Sequence, residues 1–100
     1  MTIRADRSNH QIKLDELIYL ENLSDYEKIY FNDESLITRE TISSFEDSLP
    51  EIFVRIHRSY IINLDHVKEF SNRSVTVGNT ELPISRTYKK TALKFLSGDE

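Results

Sequence analysis

The sequence contains no cysteine, and it has only two glycines and two prolines in 100 residues. The lack of cysteine excludes disulfide bonds and thiolate metal sites, and it is typical of proteins of the reducing cytoplasm. No run of about 18 apolar residues is present, and the N-terminus lacks the apolar core of a signal peptide, so we expect no membrane contact. The scarcity of glycine and proline, together with 38% hydrophobic residues, predicts a folded protein.

A chain of this length is long enough for one hydrophobic core and too short for two. No repeat, low-complexity tract or linker interrupts it. We therefore expect a single domain over residues 1–100, with its core at about 2–96 and a loose tail at 97–100.

Acidic residues outnumber basic ones, and the net charge is −4. This charge argues against a nucleic-acid ligand, because neutralising phosphates requires a basic surface. The charge is unevenly distributed, however: residues 1–52 contain twelve acidic and five basic side chains, whereas residues 53–95 contain three acidic and eight basic ones. The second half thus predicts a surface that accepts a polyanion, unless the fold mixes the two halves into ordinary solvated charge.

Short segments rich in β-branched and aromatic residues alternate with polar turns along most of the sequence. The predicted strands are 2–5, 10–14, 17–20, 26–31, 35–38, 52–56, 59–63, 66–70, 74–77 and 80–84. One short internal helix is predicted from a cap at Thr38 to Pro50, and a C-terminal helix from a cap at Ser85. The fold class is therefore mostly β, with about eight to ten short strands in small antiparallel sheets.

The sharpest local pattern is Phe53–Asn63, in which apolar residues bracket the polar string His57-Arg58-Ser59. In a strand–turn–strand setting the flanking residues are anchored in the core and hold Arg58 at an exposed turn. Its guanidinium group is then suited to bidentate contacts with a phosphate or with guanine. Pairing of Arg58 with one of the many carboxylates is the alternative.

His57 and Ser59 also suggest a metal-binding or catalytic interpretation. Since His10 and His66 do not stand at metal-binding spacing from His57, a hydrogen-bonded structural histidine is favoured. Neighbouring positions do not give a hydroxyl and an imidazole the geometry of a catalytic triad, and no nucleophile elbow is present. We therefore predict no catalytic residue, no metal site, no cofactor and no enzymatic activity.

A second pattern, Leu82–Lys90, joins a predicted strand to a predicted helix start. Exposed amides at a helix N-terminus favour an anion. The polar and basic residues around that point are Ser85, Arg86, Lys89 and Lys90. A phosphate fits this chemistry, whereas ordinary capping with solvated lysines is the alternative.

A third candidate is the turn at residues 22–28. Its possible contacts are Asn22, Tyr26, Glu27 and Lys28. Because Asp25 and Glu27 make the turn a poor general surface for DNA, its chemistry alone favours a structural role.

Together, the motifs Phe53–Asn63 and Leu82–Lys90 resemble the LytTR family of DNA-binding domains. Residues 17–26 resemble that family's strand and first recognition loop, and residues 38–41 resemble the entry to its short helix. The resemblance covers about residues 2–96. It implies an elongated assembly of small antiparallel sheets whose loops, rather than a recognition helix, enter successive major grooves and bend the DNA.

By position, the resemblance implies DNA contacts from residues 26–28, from Arg58, and from Arg86 with its neighbouring lysines. The first loop departs from the family pattern, because Glu27 stands where some members carry a basic or imidazole side chain. The full set of predicted DNA-contacting residues is Asn22, Tyr26, Glu27, Lys28, His57, Arg58, Ser59, Ser85, Arg86, Lys89 and Lys90.

The resemblance also implies a larger assembly. Family members usually lie behind a phosphorylatable receiver domain, and they bind paired direct repeats in double-stranded DNA as dimers. No receiver fits in 100 residues, so we expect either a stand-alone transcription regulator or the C-terminal output domain of a two-component response regulator. The alternative function is a β-rich interaction module that binds an acidic partner through the same basic segment.

Overall fold

The computed structural model describes residues 1–98 of the chain. The strands in this range are β1 (Thr2–Ala5), β2 (Ser8–Gln11), β3 (Leu17–Asn22), β4 (Glu27–Phe31), β5 (Glu34–Thr38), β6 (Phe53–His57), β7 (Tyr60–Asn63), β8 (Val67–Phe70), β9 (Ser74–Val77) and β10 (Thr80–Pro83). The helices are α1 (Ile42–Ser48) and α2 (Lys89–Leu96), with short 3-10 turns at Leu14–Glu16 and Leu64–His66. Neither α-helix in the described range is long and apolar enough to cross a membrane.

The strands form three small antiparallel sheets, and the principal extents of the molecule are 39 × 23 × 22 Å. The predicted mostly β, elongated fold class is therefore confirmed. The central sheet has five strands in the order β5-β4-β3-β7-β6, while β1 and β2 form a hairpin and β10, β9 and β8 form a three-stranded sheet.

The central sheet is covered on both faces. Its side chains alternate between the faces, so the neighbours Ile61 and Ile62 belong to different hydrophobic clusters. The β1–β2 hairpin and α1 contribute Ile3 and Phe45 to one cluster. The three-stranded sheet and α2 contribute residues such as Val75 to the other. Because both faces of the central sheet are packed, a ligand reaches this sheet mainly through the loops at the ends of its strands.

One end of the central sheet carries the loop between β3 and β4 and the turn between β6 and β7. Asn22 pairs with Glu27 at this end, and His57 pairs with Tyr60. The end of β5 lies there too, since Thr38 pairs with Glu27. We call this edge the loop end of the sheet.

The first hairpin is shorter than predicted. Its turn consists of Asp6 and Arg7 alone, with φ angles of 50° and 64°, so β2 occupies Ser8–Gln11 rather than residues 10–14. Positive φ at both central residues suits the twist of a two-residue hairpin turn, where glycine, asparagine or aspartate usually supplies it. Asp6 fits this preference and Arg7 does not, and the polar residues Ser8 and Asn9, which the sequence assigned to the turn, belong to β2.

Helix α1 is capped by Thr41 rather than by Thr38. The Thr41 hydroxyl accepts a hydrogen bond from the Ser44 amide at 3.1 Å. Thr38 is the last residue of β5 and is buried, so the predicted cap at Thr38 is wrong. Pairing within the sheet makes Thr38 the last residue of a strand that ends four residues before the helix begins at Ile42.

The C-terminal helix begins at Lys89, later than predicted. The Ser85 amide donates to the carbonyl of Ile56 at 2.9 Å, and the chain then makes a turn before the helix, so the predicted cap at Ser85 is wrong. Part of the predicted tail ends the helix: the Ser97 amide donates to Leu93, and Gly98 has a φ of 80°. Residues 99 and 100 of that predicted tail lie outside the described residues.

Candidate nucleic-acid interface

Main-chain hydrogen bonds bring the three predicted segments together at the loop end. The Asn22 amide donates to the Ser59 carbonyl at 2.8 Å and joins the first loop to the β6–β7 turn. The bond from the Ser85 amide to Ile56 joins the third segment to the end of β6. Segments that are far apart in sequence are thus placed side by side by contacts that do not involve their side chains.

The β6–β7 turn presents Arg58 to solvent. The Ser59 amide donates to Nδ1 of His57 at 3.0 Å and closes the turn. Within residues 1–98, the Arg58 side chain has no hydrogen-bond or ion-pair partner, so pairing with a carboxylate does not occupy it. Its guanidinium group is therefore free to bind an anion or a base edge.

His57 is a structural residue of this turn. Burial lowers the pKa of His57 below its ordinary value, and the neighbouring Arg58 and Arg55 lower it further. A neutral ring is what the hydrogen bond from Ser59 requires, because the accepting Nδ1 carries no proton. The favoured interpretation of His57 as a hydrogen-bonded structural histidine agrees with this geometry.

Arg55 organises the turn, and sequence reasoning missed it. Its Nη2 donates to the Arg58 carbonyl at 2.6 Å, and its Nε donates to the His57 carbonyl at 3.3 Å. Its Nη1 forms an ion pair with Glu46 at 3.1 Å, and its guanidinium lies 5.3 Å from the ring centre of Tyr88. The one available signal was a charged residue inside an otherwise apolar strand pattern.

The first loop is closed by a single main-chain bond from the Leu23 amide to the Tyr26 carbonyl, at 2.8 Å. Ser24 has a φ of 74°, which turns the chain sharply. Tyr26 is exposed, and the guanidinium of Arg39 lies 5.5 Å from its ring centre. The predicted contact residue Tyr26 is therefore on the surface, with an arginine beside it that the sequence pattern did not select.

Glu27 is buried beneath this loop. The residue is 1% exposed, and its Oε1 has no hydrogen-bond partner among the described residues. Loss of solvation raises the pKa of Glu27 from 4.5 to about 7, with Arg55 opposing the shift and Glu21 adding to it. In contrast to the expected DNA contact, the carboxyl group has no exposed surface from which to reach a ligand.

Lys28 is half-buried and lies against an aromatic cluster. Its Nζ is 5.1 Å from the ring centre of Tyr30, which donates a hydrogen bond to Glu21 at 3.0 Å and stacks on Tyr19 at 4.2 Å. Lys28 therefore extends along the sheet surface instead of projecting from the loop tip.

The third segment carries exposed basic groups at the start of α2. Arg86 and Lys90 are exposed, whereas the Ser85 hydroxyl is buried without a hydrogen-bond partner. Lys89 and Lys90 occupy the first turn of the helix, where positive charge opposes the helix dipole by about 0.3 to 1 kcal/mol each. A bound anion would relieve that repulsion.

Other chemistries have little support at the loop end. In the described part of the chain, no group of three or more His, Asp or Glu side chains is arranged to hold a metal ion. His57 is bonded to the Ser59 amide, and no bond joins it to the Ser59 hydroxyl within residues 1–98, so a nucleophile–base pair is not formed.

Several proteins are similar to this chain. LytT from Bacillus subtilis (strain 168), called a sensory transduction protein, is 27% identical over 88 residues, which are 81% of this chain and 36% of the relative. LytR from Staphylococcus aureus (strain N315), called a transcriptional regulatory protein, is 26% identical over 90% of this chain and 39% of its own length. The chain thus spans less than two fifths of the length of these relatives.

The solved structure of a LytTr DNA-binding domain from Bacillus cereus has the same fold. It superposes with a TM-score of 0.80 at 22% identity, covering 98% of this chain and 95% of that one. The family model for the LytTr DNA-binding domain matches residues 7–97, and the chain therefore belongs to this family.

Proposed function

We propose that this chain is a sequence-specific DNA-binding domain of a transcription regulator and that it inserts the loop end of its central sheet into the major groove. The observation that carries the proposal is the guanidinium of Arg58, which has no partner within residues 1–98 and lies on a turn held by Arg55. The bond from Ser85 to Ile56 brings the segment with Arg86, Lys89 and Lys90 to the same end of the sheet. Preorganised arginine is well suited to guanine and phosphate, because little freedom is lost on binding.

The side chains divide into two roles. Arg58 and Arg86 read or position the DNA, since both are exposed at the loop end. Lys89 and Lys90 contact phosphates, with Lys28 in support. The shape of the contact surface comes from Asn22, Tyr26, His57, Ser59 and Ser85. Glu27 is buried and makes no DNA contact in this proposal.

The chain functions, in this proposal, as the output domain of a two-component response regulator in the bacterial cytoplasm. The support is that the relatives named above are sensory transduction and regulatory proteins more than twice as long as the matched segment. A receiver domain supplies the remaining length, and two copies bind paired direct repeats as a dimer.

Selection of genomic DNA fragments by the purified domain, at about 0.15 M salt, tests the proposal. Wild type is compared with Arg58→Ala and Arg86→Ala, and with Lys68→Ala as a control. Lys68 has the same charge and is exposed on β8, where it bonds to Asn79. We expect a short repeated motif to be enriched by wild type and by the control, and to be weakened in both arginine variants.

The same selection is repeated with the domain fused to a dimerising coiled coil, because two linked copies bind paired repeats more tightly than one copy alone. If neither form enriches any motif, the DNA proposal is wrong. Binding to an acidic protein without preference among DNA sequences would then favour an interaction module.

A further inference from the structure

An open groove lies beside the first loop, between the turn of the β1–β2 hairpin and the end of β5. Its volume is about 760 Å³, and Arg4, Arg7, Arg39 and Tyr26 line it together with Asp6 and Glu40. Apart from Tyr26, its lining residues lie outside the three segments that the sequence motifs identified. We call it the arginine groove.

Three of the five basic residues in the acidic first half of the chain converge on this groove. Asp6 and Glu40 line it as well, but neither forms an ion pair with the arginines: within residues 1–98, the pair Arg55–Glu46 is the ion pair found at 4.0 Å or less. Among residues 1–98, the guanidinium groups of Arg4, Arg7 and Arg39 therefore have no anionic partner. Unpaired arginines that share a concave surface are suited to phosphate.

The hairpin turn places Arg7 at the groove, and a ring contact positions Arg39 there. Arg7 occupies the hairpin turn with a φ of 64°, a conformation that is uncommon for residues other than glycine. Arg39 lies over the ring of Tyr26, which leaves the edge of its guanidinium group free to donate hydrogen bonds. The groove is thus continuous with the first loop of the interface proposed above.

The groove and the Arg58 turn are close enough together to contact one segment of duplex DNA. In the strand order β5-β4-β3-β7-β6, β5 borders the groove and β7 follows the Arg58 turn, so three strand spacings separate these two strands. Three spacings amount to roughly 14 Å. This separation is similar to the width of the major groove of B-DNA, which is about 12 Å, so a base contact at the turn and a phosphate contact at the arginine groove are compatible in size.

We propose that Arg4, Arg7 and Arg39 form a phosphate-binding groove that holds the DNA backbone flanking the bases contacted by the loop end. This inference rests on the proposed function and adds a contact to it from the β1–β2 hairpin. Arg4 precedes residues 7–97, which the family model matches. The ligand is backbone phosphate rather than a base edge, so the contact contributes affinity without sequence preference.

The test measures how the DNA affinity of the purified chain depends on salt, using a duplex obtained from the fragment selection. The triple variant Arg4→Gln, Arg7→Gln, Arg39→Gln is expected to bind with a slope of log K against log salt that is shallower by about two to three, since each phosphate contact contributes about 0.9. The corresponding arginine-to-lysine triple variant is expected to retain most of the slope.

A matched control removes three positive charges elsewhere. Lys13, Lys68 and Lys94 are exposed and do not line the arginine groove, so the triple variant Lys13→Gln, Lys68→Gln, Lys94→Gln should keep the wild-type slope. In a second arm the flanking base pairs are removed from the duplex, which should lower the wild-type slope to that of the arginine-to-glutamine variant. If that variant does not fold, Arg4→Gln and Arg7→Gln are tested singly, each with an expected decrease of about one.

The outcomes separate this inference from the proposed function. If wild type binds specifically and the arginine-to-glutamine variant has the same salt slope, the arginine groove does not bind phosphate. The proposed function is then unaffected. An equal decrease in the lysine-to-glutamine control also overturns this inference, because the effect is then one of net charge. Absence of DNA binding by wild type overturns both.

Discussion

The β6–β7 turn and the first loop lie side by side at the loop end, yet they are held in different ways. Arg55 bonds to two carbonyls of the turn and pairs with Glu46, so several charged contacts converge on it. The first loop is closed by the main-chain bond from Leu23 to Tyr26, and it is followed by Glu27, a buried carboxyl group whose Oε1 has no partner among the described residues. The turn is thus held by several side-chain bonds, whereas the first loop adjoins a buried carboxyl group whose pKa is raised to about 7.

The largest expected effect is at Arg55. Arg55→Ala removes the donors to the turn and leaves Glu46 and two carbonyls without their partner, which should lower the free energy of unfolding by about 2 to 4 kcal/mol. Urea denaturation measures the loss. Arg55→Lys, which keeps the charge but not the planar fork, should recover part of it. A loss below about 0.5 kcal/mol would show that the turn is held by its main chain alone.

Arg58→Ala is expected to affect binding and leave stability unchanged. Because the Arg58 side chain has no partner within residues 1–98, its removal should change the free energy of unfolding by less than about 0.5 kcal/mol. The DNA affinity should decrease by about 1 to 3 kcal/mol, measured by fluorescence anisotropy with the selected duplex. If Arg58→Ala destabilised the protein as strongly as Arg55→Ala does, Arg58 would also be a structural residue of the turn, and its assignment to DNA contact alone would be wrong.

The first loop is tested by pH. Since the folded-state pKa of Glu27 is about 7 and its ordinary value is 4.5, the folded protein holds a proton that the unfolded chain releases between these values. The contribution of Glu27 should therefore lower stability as the pH rises from 4.5 through about 7, and remain constant above that. Glu27→Gln should stabilise the protein at about pH 8 by on the order of 2 kcal/mol.

Urea denaturation at several pH values measures this difference between Glu27→Gln and wild type. Comparing the two proteins removes the separate titration of His57, whose lowered pKa acts in the opposite sense. A constant difference between them at every pH would show that Glu27 does not titrate in this range.

The smallest expected effect concerns the exposed side of the first loop. Arg39→Ala removes the cation–π contact with Tyr26, which at an exposed site is worth about 0.5 to 1 kcal/mol. Thermal unfolding detects such a change, and Arg39→Lys serves as the control. A loss as large as that of Arg55→Ala would show that the first loop is held as firmly as the turn.

Much of the fold followed from local patterns. The strand periodicity and the polar string at residues 57–59 predicted the mostly β class and the exposed turn at Arg58. The first residues of the two helices were predicted wrongly, because tertiary contacts determine where each helix begins. Thr38 pairs with Glu27 in the sheet and therefore belongs to a strand. The Ser85 amide bonds to Ile56, and the helix begins only after a further turn.

Long-range contacts also explain what was missed at the site. Arg55 looked like any polar residue in a strand, since its partner Glu46 belongs to another element. The arginine groove combines Arg4 and Arg7 with Arg39, and no local spacing relates them. Glu27 lies next to an exposed loop in sequence, so its burial was visible only once the layers were assembled.

The main-chain bonds from Asn22 to Ser59 and from Ser85 to Ile56 have a consequence for how recognition changes over evolution. Amide–carbonyl bonds are indifferent to the side chains on either residue, so the spacing of the three segments is inherited separately from the chemistry they display. Substitutions at positions such as Arg58 and Arg86 can then alter which DNA is chosen while the frame that presents them stays the same. The loop end is thus a main-chain framework whose contact residues can vary. Relatives of low sequence identity can therefore bind different DNA targets with the same fold.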